Sequence, residues 1–147
     1  MIAILYKIPI NLCFIIHVLN NFLFYEIFKL LQEPYYHGSI TQNTAEKRLG
    51  TSMTPGTFLV RQGATEEEFI LSIKCAPEFR QTPFRHLFIK HNKDGKEGFT
   101  TQFGNTKGPR KFETMAKLIA NFQIEPISFD DNSPDVILTN PWNKGAV

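Results

Sequence analysis

The sequence predicts an α+β fold, a central antiparallel β-sheet flanked by two α-helices. Three strand-like runs, Thr57 to Arg61, Phe69 to Lys74 and Phe84 to Lys90, follow one another with short connections, which is the pattern of an antiparallel meander. Helical periodicity stands on either side of that run of strands. Phe58, Leu59 and Val60 are apolar in immediate succession. A strand without polar alternation is covered on both faces, so each helix is expected to cover one.

The chain opens on an apolar leader, residues 1–33. From Ile8 to Tyr25 no Asp, Glu, Lys or Arg appears, but Pro9, Asn11, His17, Asn20 and Asn21 dilute the run. A spanning helix needs about 20 predominantly apolar residues. Lys7 before the run and Glu26 and Lys29 after it give no orienting asymmetry, and no small-residue cleavage site stands out. Three readings stay open: a weak signal anchor that associates with a membrane, a helix docking its apolar face on a domain or partner, and sequence without function as written. The helical reading rests on Phe24, Ile27, Phe28 and Leu31 at i, i+3, i+4 and i+7, with Pro34 ending the helix.

At Glu33-Pro34 the composition changes, and the folded domain is placed at 34–143 with a tail at 144–147. Thr41 is positioned as an N-cap, Ala45 and Leu49 share one helical face, and Gly50 is expected to stop that first helix. Pro55-Gly56 marks a turn and Thr65 to Glu68 a polar loop. Pro77 and Pro83 bracket another loop, and Asn92 to Gly98 (NKDGKEG) carries an Asp-Gly reverse turn. The basic cluster Lys107 to Lys111, with its Gly and Pro, reads as a solvated loop. Phe112, Met115, Ile119 and Phe122 recur at helical spacing and predict the second helix, Asp131 to Asp135 reads as a loop, and VILTNP closes the domain.

Composition narrows the function. Sixteen basic against fourteen acidic residues leave a formal charge of +2, too little for a broad nucleic-acid footprint. Cys13 and Cys75 form no CxxC pair, and His17, His37, His86 and His91 share no metal-binding spacing, so neither metal nor cofactor is expected. This cysteine usage suits a reducing compartment and predicts a cytoplasmic location. No Ser/His/Asp motif, Walker or dinucleotide glycine pattern, or kinase loop is present, so the chain is not expected to be an enzyme.

Arg61 carries the chemistry. Strand alternation sends it to the same side as Leu59, an enclosed side, and a guanidinium cannot shed its proton to avoid desolvation. It needs an anion, either from the internal carboxylates Glu66, Glu67 or Glu68 or from a ligand. The next residues, Gln62-Gly63-Ala64-Thr65, form a small-residue loop of the kind that turns several backbone N–H groups toward one anion. A forked cation beside such a loop suits phosphate.

Taken together, these segments resemble the Src-homology-two domains, which bind phosphotyrosine peptides. YYHGSIT at Tyr35 to Thr41, the Ala45-Glu46 pair and Leu49, GTFLVR at Gly56 to Arg61, FILSI from Phe69, FRHLFIK from Phe84, the segment Phe112 to Phe122, and Leu138 with Pro141 are similar to that family's blocks, in order, over about Glu33 to Trp142. The resemblance implies a phosphotyrosine pocket between the first helix and the sheet. In it Arg61 would make two parallel hydrogen bonds to phosphate from a floor too deep for phosphoserine or phosphothreonine. Ser72 and His86 match pocket positions on neighbouring strands, and Gly63, Ala64 and Thr65 match the phosphate-binding loop.

This sequence departs from the family pattern at four positions. Gln42 stands where many members have a second arginine, Gly63 replaces a serine, and Phe88 replaces a lysine that clasps the phenyl ring, where it would stack instead. Tyr35 replaces a tryptophan. Leu87 and Ile124, with the stretch to Pro134, match the region that reads peptide residues beyond the phosphotyrosine. The resemblance implies an adaptor whose partners are tyrosine-phosphorylated proteins or peptides; the alternative is a degenerate member with Arg61 internally paired and a structural or assembly role.

Overall fold

Aromatic and branched residues cluster in the three central runs, and there the backbone is extended. A computed structural model describes residues 23–76, 82–92, 98–102, 108–130 and 134–143. Among them five strands follow in chain order: β1 (Phe58–Gln62), β2 (Glu68–Lys74), β3 (Phe84–His91), β4 (Phe99–Thr101) and β5 (Lys111–Phe112). Each pairs antiparallel with the next, giving the sheet order β1-β2-β3-β4-β5. The helices are α1 (Leu23–Gln32), α2 (Gln42–Gly50) and α3 (Met115–Phe122).

Register sorts the side chains into two faces. Leu59, Ser72 and His86 lie side by side across β1, β2 and β3, as do Arg61, Ile70 and Phe88. Because successive residues alternate in direction, these two rows share one face. That face meets α2, where Ala45, Leu49 and Leu59 form a small buried cluster flanked by Ile40, Phe84 and Trp142. The opposite face carries Phe58, Val60, Phe69, Leu71, Ile73, Leu87 and Ile89, which pack with Met115, Leu118, Ile119 and Phe122 of α3 into the main core. Each such side chain contributes roughly 1.5–3 kcal/mol on burial, so this face holds the fold together.

Local signals set the helix ends. Thr41 caps α2, its Oγ1 accepting from the Thr44 N–H at 3.1 Å. The far end differs from expectation. Gly50 is the last helical residue, and the chain is stopped by Thr51, which is in the right-handed region and donates its hydroxyl to the Arg48 carbonyl at 2.7 Å. Trp142 Nε1 in turn donates to that hydroxyl at 3.1 Å, so a distant segment takes over a role expected of a local glycine. The second helix also starts later than its apolar spacing predicts. Thr114 is extended and caps α3 by accepting from the Lys117 N–H at 3.1 Å. Phe112 therefore belongs to β5 and reaches the core from there, its ring 5.7 Å from that of Phe122.

In α1, Leu30 is buried in the main core with Ile27 against it, while Leu31 is exposed. The inward stripe is thus Ile27 and Leu30, not the row ending in Leu31, and core packing runs across the composition break at Glu33-Pro34. The rest of the leader, residues 1–22, and most of the Asp-Gly turn lie outside the described residues. No helix among those described is long and apolar enough to cross a membrane.

The outer edge of β1 is covered from both ends. The Val60 N–H donates to Tyr35 O and the His37 N–H to Val60 O, each at 2.8 Å, and the Trp142 N–H donates to Phe58 O at 2.7 Å. A covered edge offers no open ladder to a second chain. It also fixes the height of β1 beneath α2, where the site lies.

Candidate functional site

Arg61 rises from the centre of the α2 face and is only 7% exposed. Its Nε donates to Ser72 Oγ at 3.2 Å. Ser72 Oγ lies 2.9 Å from His86 Nδ1, and His86 Nε2 lies 3.0 Å from Glu46 Oε1. The same Glu46 oxygen accepts from Gln42 Nε2 at 3.0 Å. One line of hydrogen bonds therefore crosses β1, β2, β3 and α2.

The direction of that line follows from its two ends. An ionised carboxylate only accepts, so the proton on His86 sits on Nε2 and leaves Nδ1 as an acceptor. Ser72 accepts from Arg61 and donates to His86. Burial holds the His86 imidazole below the ordinary histidine range, with its bond to Glu46 pulling the other way. Burial likewise lowers the affinity of Arg61 for its proton, while the Glu46 charge raises it. A guanidinium stays protonated even so. Only Nε of Arg61 is engaged: its two terminal nitrogens have no partner among the described residues, and no carboxylate there forms a salt bridge with it.

The glutamates after the strand stand elsewhere. Glu66 is exposed, and Glu67 acts on His91, whose imidazole burial holds low. Glu68 opens β2, register-paired with Lys90. The carboxylate near Arg61 is instead Glu46, on the helix. Its position is legible in the sequence, because residues four apart on a helix share a face and Gln42 matches a pocket position of the family the sequence resembles.

The loop also differs in detail from expectation. The Gln62 N–H donates to Gly38 O at 2.9 Å and the Gly63 N–H to Glu68 O at 2.7 Å, closing the hairpin. Gly63 therefore has no free amide for an anion. Its lack of a side chain is enforced by packing, since a Cβ there would stand 2.6 Å from Glu68 Cβ. The N–H groups of Ala64, Thr65 and Glu66 donate to nothing among the described residues. Gln62, unassigned from the sequence, braces the turn, its Nε2 donating to Thr65 O at 2.6 Å and Glu68 O at 2.8 Å.

Phe88 lies on the same face as Arg61 and is 39% exposed. Ile124, just beyond α3, is 79% exposed. Leu87 is different: it is fully buried in the main core, so it supports β3 and presents no surface to a peptide. Alternation along the strand explains this, since a neighbour of the site-facing His86 and Phe88 must point away from them. Among the described residues no group of His, Cys, Asp and Glu is arranged to hold a metal ion.

The described residues thus form an antiparallel meander between two helices, with an arginine buried on the face toward α2. The family model for the SH2 domain matches residues 35–122, more than half of the chain, and the chain belongs to the SH2 domain family. SH2 domains are generally non-catalytic modules that bind tyrosine-phosphorylated peptides in signal transduction. No curated protein gives a significant match to the sequence.

Proposed function

We propose that this chain recruits tyrosine-phosphorylated proteins by seating the phosphate on the terminal nitrogens of Arg61. The observation that carries the reading is the guanidinium itself: buried, oriented through Nε by Ser72, and with its terminal nitrogens unpaired among the described residues. A planar fork of donors matches a phosphate bidentately. The Ala64, Thr65 and Glu66 amides supply neutral donors beside it, and Phe88 offers a ring for the phenyl group.

Calorimetry with a peptide in phosphorylated and unmodified forms tests this. The phosphorylated form binds more tightly, and Arg61→Ala loses about 2–5 kcal/mol of affinity because the phosphate is left unpaired. Superimposable titrations for the two peptides rule the reading out. A second reading has Glu46 in its favour, because that carboxylate already acts on Arg61. If Arg61 serves only the fold, Arg61→Ala lowers the melting temperature and phosphotyrosine leaves it unchanged.

A further inference from the structure

Glu46 is a negative group in a site that has to admit a negative ligand. It is half-buried, with its side chain 26% exposed and that of its partner His86 14% exposed. Two donors, Gln42 Nε2 and His86 Nε2, hold one of its oxygens in place. It acts on Arg61 through space without forming a salt bridge. A phosphate drawn to the free end of Arg61 therefore shares that cation with a carboxylate already present.

Charge is unevenly matched around this point. Facing the pair are Gln42 on α2, Arg61 on β1 and Ser72 on β2, with Arg85 on β3 acting on His86 through space. Arg85 is committed elsewhere, its Nη1 donating to the carbonyls of Thr82 and Phe84 at 3.2 and 3.0 Å. Against Arg61, the phosphate brings nearly two negative charges and Glu46 a third. The group able to restore balance is His86. It stands between Glu46 and Ser72 and gains a proton at Nδ1 without leaving its place. Ser72 Oγ, which now donates to that nitrogen, has a lone pair with which to accept from it instead.

We propose that Glu46 sets the affinity of the site as a resident counter-charge, and that phosphotyrosine binding takes up a proton from solvent at Nδ1 of the neighbouring His86. Glu46 is thus an affinity-determining residue that opposes the ligand, and His86 is the group that relieves the opposition. This rests on the phosphotyrosine reading above. In bonding terms, one proton leaves the buffer, the Ser72–His86 hydrogen bond reverses direction, the imidazolium donates to Glu46 and Ser72 together, and the Ser72 hydroxyl hydrogen so released turns to donate to the incoming phosphate.

Calorimetry with a phosphotyrosine peptide in two buffers of different ionisation enthalpy reads the proton directly. At about pH 7.5 the peptide phosphate is already mostly dianionic, its second pKa being about 6, so net uptake reports on the protein. Wild type takes up a fraction of a proton. Glu46→Gln keeps an acceptor for His86 and Gln42 while removing the charge; it binds roughly tenfold tighter, as expected for relief of one partly screened like-charge interaction, and its uptake shrinks. Glu46→Asp retains the uptake.

Glu46→Gln binding no tighter than wild type, or with the same proton uptake, overturns the inference. Should that variant fail to fold, wild type decides alone, because identical enthalpies in the two buffers mean that no proton moves. Absence of any phosphopeptide binding by wild type is a different result and overturns the underlying reading instead.

Discussion

The two faces of the sheet are made by the same strands and do opposite work. Toward α3, alternate residues such as Leu71, Ile73, Leu87 and Ile89 are all apolar and all buried. Toward α2, the intervening positions hold Arg61, Ser72 and His86 over a buried cluster of only Ala45, Leu49 and Leu59. The first face gathers enough apolar area to secure the fold, and this leaves the second free to bury a cation and a polar relay that would not be stable by themselves. The apolar core and the polar relay are thus separated by the two-residue period of a strand.

The largest effect on that comparison comes from cutting into the apolar face. Leu87→Ala removes a fully buried side chain and is expected to cost about 2–5 kcal/mol of stability in urea denaturation. Binding of phosphopeptide by the fraction still folded should be unchanged. A selective loss of binding would show that Leu87 reads the peptide and that the two faces are not separate.

A smaller loss is expected at the hinge between the strands. Gly63→Ala places a methyl against Glu68, where a Cβ would also lie 2.9 Å from the Glu68 carbonyl oxygen. Relief requires the hairpin to shift, at about 1–3 kcal/mol. Because the adjoining Ala64, Thr65 and Glu66 amides move with it, phosphopeptide affinity should fall as well. Unchanged stability would mean that the hairpin yields freely.

The mildest perturbation is acid, and it compares the faces directly. His86 belongs to the polar face and His91 to the apolar one, where its ring lies 4.7 Å from that of Phe99. Burial holds both imidazoles below the ordinary value of 6.5. The unfolded chain therefore binds protons more readily than the folded one, so stability present above pH 6.5 declines as pH falls from there through the depressed folded values. Melting temperatures across that window should drop, and His91→Leu should flatten the drop without altering phosphopeptide affinity. Equal slopes in the variant and wild type would exclude His91 as a contributor.

Much of this was readable in the chain. The runs FLVR, FILSIK and FRHLFIK are locally unambiguous because branched and aromatic residues in such runs have few alternatives to a strand, and Thr41 announces α2 by its own hydrogen bond. What escaped depended on distant partners. β4 and β5 are three and two residues long and exist because β3 and each other supply their bonds. Phe112 kept helical spacing with Met115 only because both reach one core from different elements. Gly50 is the last residue of α2, but its cap is Thr51, whose hydroxyl accepts from Trp142, 91 positions away.

The site divides in the same way. Sequence by itself determined that one arginine would be enclosed, because alternation along an apolar strand leaves its side chain no other direction, and that a permanent charge so placed would call for an anion. Only the tertiary structure decided which carboxylate stands near it. Glu66, Glu67 and Glu68 are close to Arg61 along the chain, but the hairpin carries them away, whereas Glu46 is brought alongside by α2 packing across the sheet. Electrostatic strength depends on distance through space and on the water excluded between charges, and neither is a property of separation along the sequence.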